Sequence, residues 1–323
     1  MKSALLFCLG GLGDLMVAFP SIYLLRKTLF PCSLSLVCRE EYGLILKETG
    51  VVDNLVSSNQ ARLTPLFGSP PYPLELTQWL EEFSLILGWL QKKSSLNQKE
   101  FCAFLNRKKC RFFFPSPDYS GQISQYYFEK TLEFISKKEG SVPSFRDCTF
   151  LPFASRQKGS GARLLDDECP EGNQKITRME EKTVVVHPGS GGQTKCWPLD
   201  NFMTVIHRLS RQKIRGALVT GFAEAALEEE LKKQALPNNW VWLRNPSLLR
   251  LAGLLAESTL YLGNDSGITH LAAACGTKVV ALFRTDLEVA WKPYGRTTVL
   301  SGESVSGIAL PSVWEVLSRS LLD

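Results

Sequence analysis

Three short stretches combine small residues, a hydroxyl and a charge in patterns that suit anion chemistry. The first is Asp265-Ser266-Gly267. It follows the apolar run Leu260, Tyr261, Leu262 and the turn signal Gly263-Asn264, and it opens a helix continued by His270-Leu271-Ala272-Ala273-Ala274 and stopped by Gly276. Asp and Ser favour helix starts because their oxygens accept from first-turn N–H groups. A strand-to-helix turn with Ser-Gly at the helix start leaves bare amides that suit a phosphate. An ordinary capped helix fits the same residues, and His270 on that Ala-rich helix also fits a packed core histidine. The second stretch is His187-Pro188-Gly189-Ser190-Gly191-Gly192, after the apolar Thr183 to Val186 and before Lys195-Cys196-Trp197-Pro198. Small residues let backbone amides approach an anion, and Lys195 adds a compact positive charge. The third is Gly10-Gly11-Leu12-Gly13-Asp14, after the apolar Ser3 to Leu9. Asp14 caps a helix or faces a cleft as a general base, and both readings can hold at once.

The elements that must position these residues alternate strand and helix. In the second half, strands are expected at Thr183 to Val186, Gly216 to Thr220, Trp240 to Leu243, Leu260 to Leu262 and Val279 to Phe283. Between them lie helices Leu199 to Arg211, Glu224 through Ala235, and Leu248 to Glu257 capped by Asn245-Pro246-Ser247. This is the pattern of a doubly wound sheet, with turns at Ser190, Glu224, Ser247 and Ser266 sharing one sheet edge. In the first half, strands are expected at Ser3 to Leu9, Ser33 to Cys38, Gly50 to Val56 and Arg111 to Pro115, with helices Leu15 to Arg26, Leu74 to Glu82 and Ser120 to Lys137. Phe83 to Leu90 is apolar and of undecided type, and Thr64 to Pro73 reads as loop. Arg156 to Lys182 is polar and rich in Gly and charge, and reads as a linker.

The 323 residues suggest two domains, and 44% hydrophobic with 21% charged residues describe a globular protein with a sizeable core. No apolar run approaches the ~20 residues of a membrane span. The start, Met1 to Leu9, breaks at glycines and Asp14 and reads as a strand rather than a secretory signal. Nine scattered cysteines without a CxxC pair suggest reduced thiols in a cytosol. The net charge of +5 does not call for nucleic acid. Together with Lys92-Lys93 and Arg107-Lys108-Lys109-Arg111, it permits contact with an anionic acceptor or membrane surface, though solvated surface is the plainer account. A dinucleotide fingerprint laid on Gly11-Leu12-Gly13-Asp14-Leu15-Met16 meets Met16 where its third glycine belongs, and puts Asp14 where a pyrophosphate should approach.

Taken together, the chain resembles glycosyltransferase family 9, the heptosyltransferases. The resemblance is carried by Gly10-Gly11-Leu12-Gly13-Asp14 with Pro20 and Leu25-Arg26, by His187-Pro188-Gly189-Ser190-Gly191 with Lys195 and Trp197-Pro198, and by Gly263-Asn264-Asp265-Ser266-Gly267 with His270-Leu271-Ala272-Ala273. It is poor from about Ser57 to Gln122 and through the linker. Val17-Ala18 and Arg284-Thr285-Asp286 depart from the family's usual residues. The resemblance implies an α/β fold of the GT-B type, two Rossmann-like doubly wound domains facing across a cleft. Residues 1–155 would take the acceptor, 156–182 would link, 183–310 would take a nucleotide sugar, and the helix 311–323 would pack back on the N-terminal domain.

By the same resemblance, Asp14 is the catalytic base, with Gly11 and Gly13 beside it on the acceptor side. Gly189, Ser190 and Lys195 hold the donor phosphates. Glu224 bonds donor hydroxyls or else only serves a helix dipole. Backbone near Pro246 borders the adenine, and Asp265, Ser266, Gly267 and His270 complete the pocket. No metal and no cofactor are expected, because Lys195 and a helix N-terminus stand in for a cation and no DxD-type cluster is present. The implied reaction inverts configuration and moves heptose from ADP-heptose to a lipopolysaccharide core or related glycan, in the cytoplasm, with peripheral contact to the anionic inner face of the cytoplasmic membrane. A different nucleotide sugar, a nucleotide-sugar-binding protein without turnover, and a GT-B-like epimerase are the competing readings.

Overall fold

In the computed structural model, described residues are 3–89, 110–113, 119–135, 143–152 and 182–322. The chain divides into two compact units, Met1–Pro152 and Phe153–Asp323. Of the linker expected over 156–182, residues 156–181 lie outside the described residues, as do Lys92-Lys93 and Arg107-Lys108-Lys109.

The first unit is a parallel sheet of β1 (Ser3–Phe7), β2 (Ser33–Cys38), β3 (Asn54–Ser57), β4 (Leu85–Trp89) and β5 (Cys110–Phe113), in the order β3-β2-β1-β4-β5. Its helices are α1 (Leu12–Leu29), α2 (Glu40–Glu48), α3 (Leu74–Glu81) and α4 (Ile123–Ile135). The apolar run at Phe83 resolves as β4, buried at every position, because it pairs with β1 on one side and β5 on the other. The strand expected at Gly50 to Val56 begins later, at Asn54, after Val51 and Val52 are already buried. One sheet face buries Leu5, Phe7, Val37, Ile86 and Phe112 against Leu76 and Leu80 of α3.

The second unit holds β6 (Thr183–His187), β7 (Arg215–Thr220), β8 (Trp240–Arg244), β9 (Leu260–Asn264), β10 (Lys278–Arg284) and β11 (Thr297–Gly302). All pair in parallel, in the order β11-β10-β9-β6-β7-β8. The chain therefore winds one way from β6 to β8 and returns to the other side of β6 at β9. The boundary between β6 and β9 is the switch point at which such sheets open a crevice at their carboxyl edge. The helices are α5 (Leu199–Arg211), α6 (Ala225–Leu231), α7 (Leu248–Glu257), α8 (Gly267–Ala274), α9 (Thr285–Trp291) and α10 (Leu310–Leu322). The extension of α6 to Ala235 is not found, and α9 and β11 were not anticipated. Gly263-Asn264, expected as a turn, instead finishes β9, since both are buried between the partner strands.

Helix α10 buries Val313, Leu317 and Leu321 in the core beneath β6, β9 and β10, beside Phe202, Ile206 and Leu209 of α5. These three residues recur every four positions, one stripe of a helix, and that stripe has the C-terminal sheet as its partner. Leu317→Ala removes a fully buried side chain and is expected to lower stability by about 2–5 kcal/mol, read from urea unfolding. No loss would detach α10 from this core.

Candidate active site

The carboxyl ends of β6 and β9 are joined by one side chain. Asn264, the last residue of β9, is completely buried. Its Nδ2 donates to the Pro188 carbonyl at 2.7 Å, and its Oδ1 accepts the Trp197 backbone N–H at 3.0 Å. Both ends of the loop after β6 are thereby fixed. Trp197 is anchored independently: Nε1 donates to the Ile308 carbonyl at 2.8 Å, and the ring meets Phe202 edge-on at 5.1 Å.

Asp265 continues from this point. Its N–H donates to the Leu282 carbonyl at 3.0 Å. Its carbonyl accepts the Ser190 hydroxyl at 2.6 Å, and its carboxylate accepts Lys195 Nζ at 2.6 Å. The carboxylate is nearly buried while Lys195 stays 38% exposed, so the ammonium faces the open side. Ser266 caps α8, its Oγ accepting the Thr269 N–H at 3.3 Å. Thr269 in turn bonds the Asn264 carbonyl and the Tyr261 hydroxyl. The Thr269 and His270 amides donate to Ser266, while those of Gly267 and Ile268 come before the first intrahelical acceptor and carry the positive end of the helix dipole.

His270, one turn into α8, is buried, and Nδ1 has no hydrogen-bond partner among the described residues. Burial lowers its pKa to about 4, with the Lys195 charge adding to the effect and that of Asp265 opposing it. The imidazole is therefore neutral near neutral pH.

The turn after β7 supplies a second wall. Glu224 Oε2 accepts the Gly221 N–H at 2.6 Å and lies 3.8 Å from His187 Nε2. Burial works against the carboxylate's charge, but His187 and the Gly221 amide outweigh it and hold the pKa below the ordinary value. Gly189 lies against this carboxyl group, and a Cβ there would overlap Glu224 Cγ and Cδ. A close approach, rather than an unusual backbone angle, requires glycine. Pro246 follows β8, on the far side of β6 and β7 from β9.

In the N-terminal unit, Gly11, Gly13 and Asp14 form the turn from β1 into α1. Asp14 Oδ2 accepts the Gly11 N–H at 2.8 Å, so the capping role is real. A Cβ at Gly10 would overlap the same carboxyl group.

The C-terminal cluster thus offers a cation, a hydroxyl and free helix amides at one point, which is the chemistry of anion binding. Residues 139–306 match the model of glycosyltransferase family 9 (heptosyltransferase). The chain belongs to glycosyltransferase family 9. A curated relative, lipopolysaccharide heptosyltransferase 3 of Escherichia coli (strain K12), is 28% identical over 119 residues, which is 36% of this chain and 35% of the relative. The match therefore spans about a third of that relative's length. Among solved structures, the glycosyl transferase family 9 protein from Veillonella parvula DSM 2008 superposes with a TM-score of 0.74 at 16% identity, covering 99% of this chain and 97% of that one. The Escherichia coli ADP-heptose lps heptosyltransferase II gives 0.70 at 15% identity, covering 100% and 99%. At such identities the likeness is one of fold, the GT-B class with two Rossmann-like sheets.

In this family 9 glycosyltransferase, Gly189, Ser190, Lys195, Asp265, Ser266, Gly267 and His270 all lie at the β6–β9 switch point. The sequence reading treated Asn264 only as part of a turn, and left His187 without a task. Arg284, weighed as an extra charge for the phosphates, is held by Asp286 through two contacts of 3.0 and 2.7 Å.

Asn264→Ala leaves the Pro188 carbonyl and the Trp197 N–H without their partner. Stability is expected to fall by about 2–5 kcal/mol, read by denaturant unfolding; a neutral result would show that the loop holds itself. For His270 the sign follows from the lowered pKa. Between its ordinary value of 6.5 and about 4, the unfolded chain takes up a proton that the folded chain refuses. Stability therefore falls as pH drops through that window, by up to about 3 kcal/mol. His270→Leu should flatten this slope in unfolding experiments at the two ends of the window.

Proposed function

We propose that the protein is an inverting glycosyltransferase that moves heptose from ADP-heptose to a lipopolysaccharide core or related glycan acceptor. The observation that carries the donor side is the Lys195–Asp265 pair, 2.6 Å apart, beside the open N-terminus of α8. Asp265 aims the ammonium at the place where a diphosphate on the helix amides would sit. Family membership, and the ADP-heptose transferase named above, support the choice of donor.

As the bond between the sugar and the diphosphate breaks, negative charge gathers on the departing oxygens. Lys195, the Ser190 and Ser266 region and the α8 amides already point there, so the charge is met without reorganisation. Gly189 allows the backbone to approach, and Gly267 begins the helix without a side chain. Backbone near Pro246 borders the adenine, and His270, neutral, closes the pocket. Asp14 takes the proton from the acceptor hydroxyl as its oxygen attacks from the opposite face of the sugar, hence inversion. Its bond to the Gly11 amide fixes the carboxylate's direction for that role. Contact with the anionic inner face of the cytoplasmic membrane belongs to this reading and rests on the net charge of +5. Among the described residues, no helix is long and apolar enough to cross a membrane.

A ligand that binds only the folded state raises the unfolding temperature by mass action. ADP should therefore stabilise the protein in a thermal-shift series where UDP and GDP do not, and equal shifts would remove the adenine assignment. Lys195→Ala should weaken ADP binding about 10–100-fold in calorimetry; unchanged affinity takes Lys195 out of the site. Asp14→Asn should keep ADP binding while slowing sugar transfer by ~10²–10⁴, and transfer at the parent rate would end the base assignment.

A further inference from the structure

Beneath the anion cradle, one buried phenol has no task in the reaction as described so far. Tyr261 lies in β9, inside the sheet, and is completely buried. Phe would fill the same space, and a buried hydroxyl is costly unless it is bonded. Two neighbours are given over to seating it. At Gly263, the next residue of β9 on the same face, a Cβ would overlap the Tyr261 hydroxyl. Thr269 of α8, also completely buried, meets that hydroxyl with its Oγ1 at 3.0 Å.

Counting protons fixes the direction of each bond in this cluster. Thr269 Oγ1 meets the Asn264 carbonyl, the Tyr261 hydroxyl and the Ser266 hydroxyl, the last at 3.0 Å. A hydroxyl has one proton and two lone pairs. The carbonyl can only accept, so the Thr269 proton goes to Asn264. Tyr261 and Ser266 must therefore both donate to Thr269. Burial raises the pKa of the phenol, against the pull of its bonds to Thr269 and Ser266, so its proton is present to donate. Thr269 is thereby saturated. Two of its bonds reach the frame of the cradle, since Asn264 fastens the loop after β6 and Ser266 caps α8. The third is the bond to Tyr261, which holds it from behind.

We propose that Thr269 and Tyr261 are positioning residues for the donor diphosphate: Thr269 locks Ser266, and with it the Gly267 and Ile268 amides, onto the end of β9, and Tyr261 locks Thr269. This rests on the donor reading above and names what aims the α8 amides. Both side chains are completely buried, so they act through Ser266 rather than on the ligand. The gain is preorganisation: amides already held in place need no reorganisation when the anion arrives.

Variants of the full chain test this: Thr269→Val, Tyr261→Phe, the two combined, and Thr269→Ser. Thr269→Val keeps the shape, removes the hydroxyl and strands the buried phenol. In the double variant both partners are apolar, which costs far less stability than losing one of them. Two quantities are read: the unfolding temperature without ligand, and the affinity for ADP and for inorganic pyrophosphate by calorimetry. Thr269→Val should lose about tenfold in affinity for both ligands, and Tyr261→Phe about threefold. The double variant should regain part of the unfolding temperature that Thr269→Val loses, yet bind no better than Thr269→Val, because Ser266 is still unlocked. Thr269→Ser, which returns the hydroxyl, should bind within about twofold of the parent. If Thr269→Val does not fold, the double variant against Thr269→Ser carries the same comparison of affinities. Parental affinity in the variants that lack the Thr269 hydroxyl, or affinity that returns with the unfolding temperature in the double variant, would overturn the proposal. A parent chain that binds pyrophosphate but not ADP refutes the adenine assignment alone, and the comparison is then decided on pyrophosphate. A parent chain that binds neither refutes the donor reading, and the proposal with it.

Discussion

Asn264 ties together segments 67 and 76 residues away in sequence with a single side-chain amide. Few other side chains could do this, because the site demands one donor and one acceptor in a fixed plane, inside the protein. Net, each such bond contributes only about 1 kcal/mol, yet leaving either partner unmade costs more. The loop after β6 is therefore constrained to one path, and the consequences run outward. Ser190 reaches the Asp265 carbonyl, Lys195 reaches its carboxylate, and Trp197 enters the core beneath the sheet. The anion cradle is a by-product of how the two halves of the winding are fastened.

That fastening has an electrostatic corollary. The carboxylates near the cradle are each spoken for by a positive or donating neighbour: Asp265 by Lys195, Glu224 by Gly221 and His187, and Glu228 by Arg244. Asp265 and Glu228 are thereby paired with cations, and the α8 dipole beside Asp265 adds a field that favours an arriving anion. His270, kept neutral by burial, adds a polar surface without adding charge.

How much of this was legible beforehand can be judged residue by residue. The strands β6, β9 and β10 read clearly, since strands buried on both faces are continuous apolar runs. Ser247 and Ser266 announced their helices because a capping hydroxyl is a local signal. The cradle's members were legible as a set because in a parallel sheet every strand delivers its turn to the same edge. Asn264 was not, because an Asn beside a Gly is the ordinary mark of a turn, and only pairing with β6 and β10 reveals it as strand. His187 was missed for a related reason: its partner is set by strand order rather than by spacing. The apolar stripe of α10 states that the helix must be covered, without saying by which sheet. In the first unit, β4 carried no alternation to separate strand from helix.

The strand order also has a kinetic side. The central pair of the second sheet joins Val184 to Leu260 and His187 to Gly263, across nearly half of the unit's length. Until a growing chain has been extended past Asn264, β6 has an unpaired flank on that side. Closing so long an intervening segment must come before its contacts can reward it, which slows folding. Earlier termination would leave a bare hydrophobic ribbon whose backbone groups invite pairing with another molecule. The anion cradle and the protection of that ribbon are therefore completed by the same few residues, after β7 and β8 have been made.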